Sequence, residues 1–397
     1  MDARSNTEVN RPEVELLLCA TSIRTDPEPS RIQSILDSKI DWDFLLRAAN
    51  DHGVLPQFYK FLNEQSEEDI PEAVLKRLHD ESFLNTQSNL ALTGLLFRVL
   101  DLFEANEIRG IPYKGPALAA GAYGDVAMRQ FVDLDLILHK KDVLKAKDLL
   151  VNSGWRPEFE LDSAQELAFL EHYYDYGLLK DNRLIEIHWA LTERYFNFPI
   201  DVERLSSRLR PVVIAGHEIL TLAPEDSLLI ICAHSSKHLW SRLGWICDVA
   251  NLIESHPDLR WDEILEHSSR LGSRRMLFVG LLLSRELLLA SVPEYIAAKA
   301  SSDTAAKALA QEFQERLFQE REEPAGIIET AKLHMRMRER LRDRLIYALR
   351  LSLGTTVGDW TSLKIPRSLF FLYYFLRPFR LLGKSVRGFL NRMGFLH

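Results

Sequence analysis

The chain has 397 residues, of which 46% are hydrophobic and 27% are charged, a balance typical of a soluble globular protein with two or three domains. The net charge of −8 excludes the general basic footprint of a nucleic-acid-binding protein. The three cysteines are widely spaced, which argues against a disulfide framework and a cysteine zinc site and favours a reducing cytosol.

The N-terminus has early acidic residues and no basic start followed by a long apolar run, so we expect no secretory signal. No apolar stretch reaches the roughly 18 uncharged residues that a membrane-spanning helix needs. The sequence therefore predicts a cytoplasmic protein.

Residues 1–104 are predicted to form an N-terminal helical region. The segment from Asp41 to Gln65 has apolar residues at helical spacing, with Asp41 in position to cap a helix. The segment from Pro71 to Glu107 continues the helical period over many turns, and Pro71 suits the first position of a helix.

Residues 105–222 have a different pattern, which predicts a mixed α/β core. A short strand is expected to end at Lys114-Gly115, and a short helix to open at Pro116. A second strand covers 131–138, and an amphipathic helix after it stops at Gly154. Two hairpins follow, with predicted turns at Asp181-Asn182 and Ala215-Gly216.

Two carboxylates interrupt the second strand. Asp133 and Asp135 are two residues apart, so a strand sends both side chains to the same face, where like charges repel and burial is costly. Glu186, between Ile185 and Ile187 in a predicted neighbouring strand, supplies a third acid. Three such carboxylates can hold two Mg²⁺ or Mn²⁺ ions about 3.5–4 Å apart.

A structural interpretation of these acids stays open from the residues alone. Asp133 could cap or pair locally, and Glu186 could lie on a solvated strand face. His188 shares the face of Glu186, where it could orient a carboxylate, contact substrate or be an ordinary structural histidine.

Residues 223–350 are predicted to form a helical domain that lines a cleft, with two helices separated near Ser241. His234 and Lys237 are expected to line that cleft and to contact nucleotide or acceptor, while a purely structural role stays open for both and for Asp248. Asp248, on the second helix, could pair with Lys237 or His234. A zinc site at His234 and His238 is disfavoured because no HExxH pattern accompanies this spacing.

Residues 351–397 are predicted to form a basic, aromatic, helical tail. From Trp360 to His397 there are seven Lys and Arg residues and no acid, so the remainder of the chain carries −15. The tail could pack on the helical domain. Alternatively, residues 360–397 could contact anionic lipid, which would make the protein peripheral to the inner membrane face.

The order of these features resembles a known superfamily. This order is similar to that of the polymerase-β-type nucleotidyltransferases. It consists of a strand, Lys114-Gly115, a short helix, Arg129, Asp133-Leu134-Asp135 and then Glu186. More closely, the chain resembles a group of bacterial nucleotidyltransferases with the signature "KG…aLYgd…R…DlDLL", and the resemblance runs with gaps over 112–382.

The resemblance implies an α+β fold: a nucleotidyltransferase-like mixed β-sheet core, with N-terminal helices and a C-terminal helical domain. It also implies transfer of a nucleoside monophosphate from a nucleoside triphosphate to an acceptor that the sequence does not identify. Asp133, Asp135 and Glu186 would be the catalytic metal ligands.

Three further residues would bind nucleotide under this resemblance. Lys114 would place a charge on the triphosphate, and Gly115 would let the backbone approach a phosphate. Arg129 would clamp phosphate or, equally, pair with the carboxylates.

A non-catalytic nucleotide-binding or scaffold protein on the same fold, peripheral to the membrane, is the alternative hypothesis. Retention of three acids in an apolar setting favours the enzyme.

Overall fold

A computed structural model describes residues 11–24, 29–65, 70–196, 198–319 and 326–353, and every structural statement below concerns those residues. They contain seventeen α-helices and seven β-strands. The predicted tail lies outside the described residues from 354 onward.

Five helices precede the sheet, as the sequence predicts: α1 (Pro12–Thr21), α2 (Pro29–Leu36), α3 (Trp42–Asp51), α4 (Leu55–Asn63) and α5 (Glu72–Glu104). The Asp41 side chain accepts a hydrogen bond from the Phe44 amide at 3.0 Å, which confirms the predicted cap of α3. Between α3 and α4 the backbone of Gly53 has a φ of +72°, and this residue follows the C-terminal end of α3.

A five-stranded mixed sheet forms the core, in the order β1-β2-β5-β4-β3. Its strands are β1 (Ile111–Pro112), β2 (Asp133–Ile137), β3 (Arg156–Pro157), β4 (Asp175–Lys180) and β5 (Arg183–His188). Only β2 and β5 pair in parallel, with Asp135 opposite Glu186. This pairing puts the predicted acidic strands side by side at the centre of the sheet.

Both predicted hairpins are confirmed. The first joins β4 and β5 through Asp181 and Asn182, whose positive φ values of 49° and 58° suit a two-residue turn. The second hairpin pairs β6 (Arg210–Ile214) with β7 (His217–Thr221) around Ala215-Gly216 and forms a separate two-stranded sheet.

Side chains alternate along β2, so that one face packs in the hydrophobic core and the other carries the acids. Leu134 and Leu136 are buried in an apolar cluster with side chains of α5 and of α7 (Val143–Asn152), among them Phe103 and Leu150. Asp133 and Asp135 lie on the opposite face. The short helices α6 (Gly115–Leu118), α8 (Ser163–His172) and α9 (Val202–Ser206) complete this region, and a π-helical turn at Ala119–Tyr123 extends α6.

The remaining helices form the C-terminal helical domain. They are α10 (Pro224–Lys237), α11 (Leu243–Ser255), α12 (Trp261–Leu271), α13 (Arg274–Leu288), α14 (Glu294–Ser302), α15 (Thr304–Leu317), α16 (Ile327–Arg336) and α17 (Leu341–Leu353). The predicted break near Ser241 is confirmed, since Leu239 and Trp240 have positive φ values between α10 and α11. None of the helices in the described ranges is both long enough and apolar enough to cross a membrane.

Helix α13 runs through the centre of this domain and approaches α10 very closely at Gly280. A Cβ built at Gly280 would lie 2.7 Å from Cys232 Sγ and 2.8 Å from the ring of Trp240, which is fully buried. Only glycine fits this contact, because the indole has no room to move in a close-packed interior.

We predict that Gly280→Ala lowers the free energy of unfolding by about 1–3 kcal/mol because it overpacks this contact. The matched control is Gly94→Ala in the interior of α5, where the added Cβ meets only the flexible Arg98 guanidinium at 3.6 Å. The control should be neutral or gain up to about 1 kcal/mol from helix propensity. Equal urea midpoints for the two variants would contradict the packing argument.

Candidate active site

The three predicted acids share one face of the central sheet. Asp133 and Asp135 alternate with buried leucines along β2, and the parallel register sets Glu186 of β5 beside Asp135. The sequence prediction that Glu186 lies in the same sheet and on the same face is therefore confirmed. His188, two residues further along β5, lies on that face as well.

Asp135 is the most enclosed of these acids, with 4% of its surface exposed. Its Oδ1 accepts hydrogen bonds from Lys114 Nζ at 3.1 Å, His188 Nε2 at 3.0 Å and the Tyr113 hydroxyl at 3.4 Å. Burial alone would raise its pKa, but Lys114 and His188 outweigh burial and hold the pKa well below its usual value. Asp135 is therefore a buried carboxylate whose charged form is stabilised by its neighbours.

His188 bridges the acids of the two parallel strands. Its Nε2 is 3.0 Å from Asp135 Oδ1 and 3.2 Å from Glu186 Oε2. Burial opposes a charged imidazole, but the hydrogen bonds to Asp135 and Glu186 raise the pKa of His188 to about 9. A positive imidazolium thus lies between two carboxylates where the sequence predicts a metal.

Asp133 is less well compensated. Burial, followed by the charge of Asp135, raises the pKa of the Asp133 carboxyl to about 6, although Lys114 opposes this shift. A carboxylate that resists ionisation next to another carboxylate is a place where an added cation is stabilising.

The residues present fit a divalent cation. Asp135, Glu186 and His188 each offer a ligand atom, and these atoms all lie within 4.8 Å of one another. Asp133 is outside this group, although it lies on the same face. The carboxylate oxygens of Asp135 and Glu186 suit Mg²⁺ or Mn²⁺, whereas His188 can be a ligand only after it gives up the proton that these two acids stabilise.

Gly115 brings the start of α6 against β2. Its φ is +49°, and a Cβ at this position would lie 3.3 Å from the Asp133 carbonyl oxygen and 3.7 Å from Phe131. Both the backbone conformation and the contact favour glycine. Gly115 therefore lets the chain next to Lys114 pass close to β2.

The structure corrects the predicted partners of Arg129 and Asp248. Arg129 donates to Asp248 Oδ1 and Oδ2 at 2.8 and 2.9 Å, and the Tyr123 hydroxyl donates to Asp248 Oδ1 at 2.7 Å. Arg129 therefore pairs with neither Asp133 nor Asp135, and Asp248 pairs with neither Lys237 nor His234. The buried, bidentate pair instead ties the segment before β2 to α11.

Asn89 fixes the same segment from the other side. This residue of α5 is fully buried and donates to the carbonyl oxygens of Val126 and Arg129, each at 2.7 Å. The sequence analysis missed it, because a single asparagine in a helical pattern gives no local signal. Together with the Arg129–Asp248 pair, Asn89 holds the chain that leads into Asp133.

The C-terminal end of α10 lies near the acids. Lys237 Nζ is 3.3 Å from Glu193 Oε2 and 3.5 Å from the Tyr174 hydroxyl, and the Tyr174 ring centroid is 6.1 Å from that of His188. Burial lowers the pKa of His234 well below its usual value, and the charge of Lys114 lowers it further. Whether His234 and Lys237 face Asp133 across a cleft stays a prediction.

Asp175 is a further acid on this face that the sequence analysis missed. It lies opposite His188 in the β4–β5 hairpin, and burial raises the pKa of its carboxyl to about 6 against the opposing charge of His188. Counting back from the Asp181-Asn182 turn would have found it, because a two-residue turn fixes the register of every pair in the hairpin.

Asp133→Asn and Asp135→Asn should have opposite effects on the metal-free protein. The first removes an ill-compensated charge and should raise stability by about 1 kcal/mol. The second leaves the positive charges of Lys114 and His188 without their negative partner and should cost about 3 kcal/mol. Urea unfolding in the presence of a chelator measures both.

The pH dependence of the free energy of unfolding provides a control for the same two variants. The folded-state pKa of Asp133 is raised to about 6, so the wild type takes up a proton and sheds its penalty as the pH falls through that value. The advantage of Asp133→Asn should therefore shrink at lower pH. Two variants that destabilise equally at every pH would contradict these electrostatic assignments.

Comparison with known proteins agrees with this geometry. A family described as uncharacterised nucleotidyltransferase matches residues 38–289. No curated protein matches the chain. Among solved structures, the solution structure of the antibiotic-resistance factor ANT(2″)-Ia is similar at 15% identity, over 47% of this chain and 94% of that chain, with a TM-score of 0.32, a likeness too distant to carry an argument. The family match spans well over half of the chain and contains Lys114, Asp133, Asp135 and Glu186, so the protein belongs to this nucleotidyltransferase family.

Proposed function

We propose that the protein is a metal-dependent enzyme that transfers a nucleoside monophosphate from a nucleoside triphosphate to an acceptor group. The observation that carries this proposal is the parallel pairing of β2 with β5, which sets Asp135 beside Glu186 with Asp133 on the same face. Family membership supports the general reaction. The use of a nucleoside triphosphate, the acceptor and the metal are part of this proposal.

Asp133, Asp135 and Glu186 would hold two Mg²⁺ or Mn²⁺ ions, with His188 as a neighbour of two of these ligands. When bound, the ions would stabilise negative charge on the attacking and leaving oxygens of an in-line displacement at phosphorus. His188 and Lys114 now occupy the carboxylate oxygen that a cation would use. We propose that they keep the acids ionised and correctly oriented in the metal-free protein.

The remaining side chains would bind and orient the nucleotide. Lys114 supplies a positive charge at the acids, and Gly115 keeps the backbone there free of a side chain. Lys237 and His234, at the end of α10, would add a second positive and polar wall for the triphosphate. We assign Arg129 and Asp248 a positioning role, because each saturates the other's charged group.

We predict that Mg²⁺ stabilises the wild-type protein by about 2.7 kcal/mol when its concentration is 100 times the dissociation constant. Glu186→Gln and Asp133→Asn should lose most of this stabilisation and lower nucleotide transfer by about 10²–10³-fold. Thermal unfolding with and without Mg²⁺ gives the first readout. Labelled nucleoside triphosphates incubated with a host lysate give the second.

Glu218→Gln is the matched control, since Glu218 lies exposed on β7 and away from the acids. It should retain both the Mg²⁺ shift and the activity. A normal Mg²⁺ shift with no transfer to any acceptor would favour the non-catalytic binding protein. An equal Mg²⁺ shift in all variants would rule out the proposed metal ligands.

Lys237→Ala should weaken nucleotide binding about tenfold, because a charged hydrogen bond to phosphate is worth about 1.5–3 kcal/mol. Lys299→Ala is the control. Lys237 Nζ lies 5.0 Å from the Tyr174 ring centroid and Lys299 Nζ lies 5.6 Å from that of Tyr295, so both variants lose a comparable cation–π contact. Equal nucleotide affinities of the two variants, titrated in the presence of Mg²⁺, would show that Lys237 has a structural role and does not bind the nucleotide.

A further inference from the structure

Helix α17, the last described helix, turns its leucines outward. Leu341, Leu345 and Leu349 are 69%, 62% and 60% exposed, and their spacing of four residues sets them along one stripe, here called the leucine face. The same helix buries Asp343 and Tyr347. A surface helix normally does the reverse, with its apolar stripe inside and its acids in water.

Helix α12 in the same domain follows the normal pattern. It buries Trp261 and Ile264 and exposes Asp262, Glu266 and Arg270. The inversion in α17 is therefore not shared by α12.

Within α17 the charged residues outside the buried side are all positive. Arg342 is exposed beside it, and Asp343, the acid of α17, is buried on the inner side. The sequence continues this bias, since residues 344–397 contain nine Lys and Arg residues and a single acid, Asp359. An exposed leucine stripe with positive neighbours is typical of helices that lie in the interface of an anionic membrane.

We infer that the leucine face of α17 binds the surface of an anionic lipid membrane. The leucines enter the headgroup region, and the arginines of α17 are attracted to acidic lipid. A second copy of the chain fits less well, because it would press two basic faces together. This inference goes beyond the nucleotidyl transfer proposed above and does not depend on it.

The inner side of α17 is connected by hydrogen bonds to the end of α10, which lies near the acids. The Tyr347 hydroxyl is 3.0 Å from His334 Nδ1, and His334 Nε2 is 2.9 Å from the carbonyl oxygen of Lys237. Two side chains thus join the leucine face to the end of α10.

Vesicle co-sedimentation of the full-length protein tests the inference. The probes are vesicles of phosphatidylcholine with and without phosphatidylglycerol, at low and high salt. The variant Leu345→Gln/Leu349→Gln keeps helix propensity and removes apolar area from the leucine face. The matched control is Phe83→Gln/Leu84→Gln on α5, where the side chains are 55% and 62% exposed.

We expect the wild type and the control to bind vesicles with phosphatidylglycerol in a salt-sensitive way, and the α17 variant to bind about tenfold more weakly. The α17 variant should keep its thermal midpoint in the absence of lipid. Unchanged vesicle binding would overturn the inference. If the α17 variant had a lower thermal midpoint and unchanged vesicle binding, the inference would also be overturned, and the result would indicate that the chain's own tail covers the leucines. A wild-type dimer that the variant dissociates, with no vesicle binding, would assign the face to a second copy.

Discussion

A buried negative charge at Asp135 is the constraint on which the site depends. A carboxylate that is 4% exposed in the middle of a sheet must be compensated, and Lys114, His188 and Tyr113 all direct donors at the same oxygen. The donors come from two neighbours of β2 in the sheet. Lys114 and Tyr113 follow β1, whereas His188 ends β5, which pairs with β2 in parallel.

Several contacts around the site hold β2 and the segment before it in place. Gly115 lets the start of α6 approach Asp133, while Asn89 and the Arg129–Asp248 pair hold the segment before β2 against two different helices. A loop fixed at both ends positions a functional side chain better than a free one, because little entropy remains to be lost on binding. This is the physical reason for placing Arg129 and Asp248 outside the chemistry.

The sequence predicts the acids and the hairpins because both depend on local rules. Period-2 alternation puts Asp133 and Asp135 on one face, and the turn at Asp181-Asn182 sets the β4–β5 register. The partners of Arg129 and Asp248 could not be predicted, because they come from elements more than 100 residues apart. Asn89 was missed because a single asparagine in a helical pattern gives no local signal, whereas Asp175 could have been found by counting from the turn.

Anomalous diffraction from crystals soaked in Mn²⁺ tests the central claim most directly. The account predicts Mn²⁺ bound between β2 and β5, with oxygen ligands from Asp135 and Glu186 and with Asp133 at or beside the ion. Lys114 and His188 should then have moved off the Asp135 oxygen that they now share. Strong Mn²⁺ peaks elsewhere, with Lys114 and His188 still bound to Asp135, would contradict the assignment of these acids as the metal site.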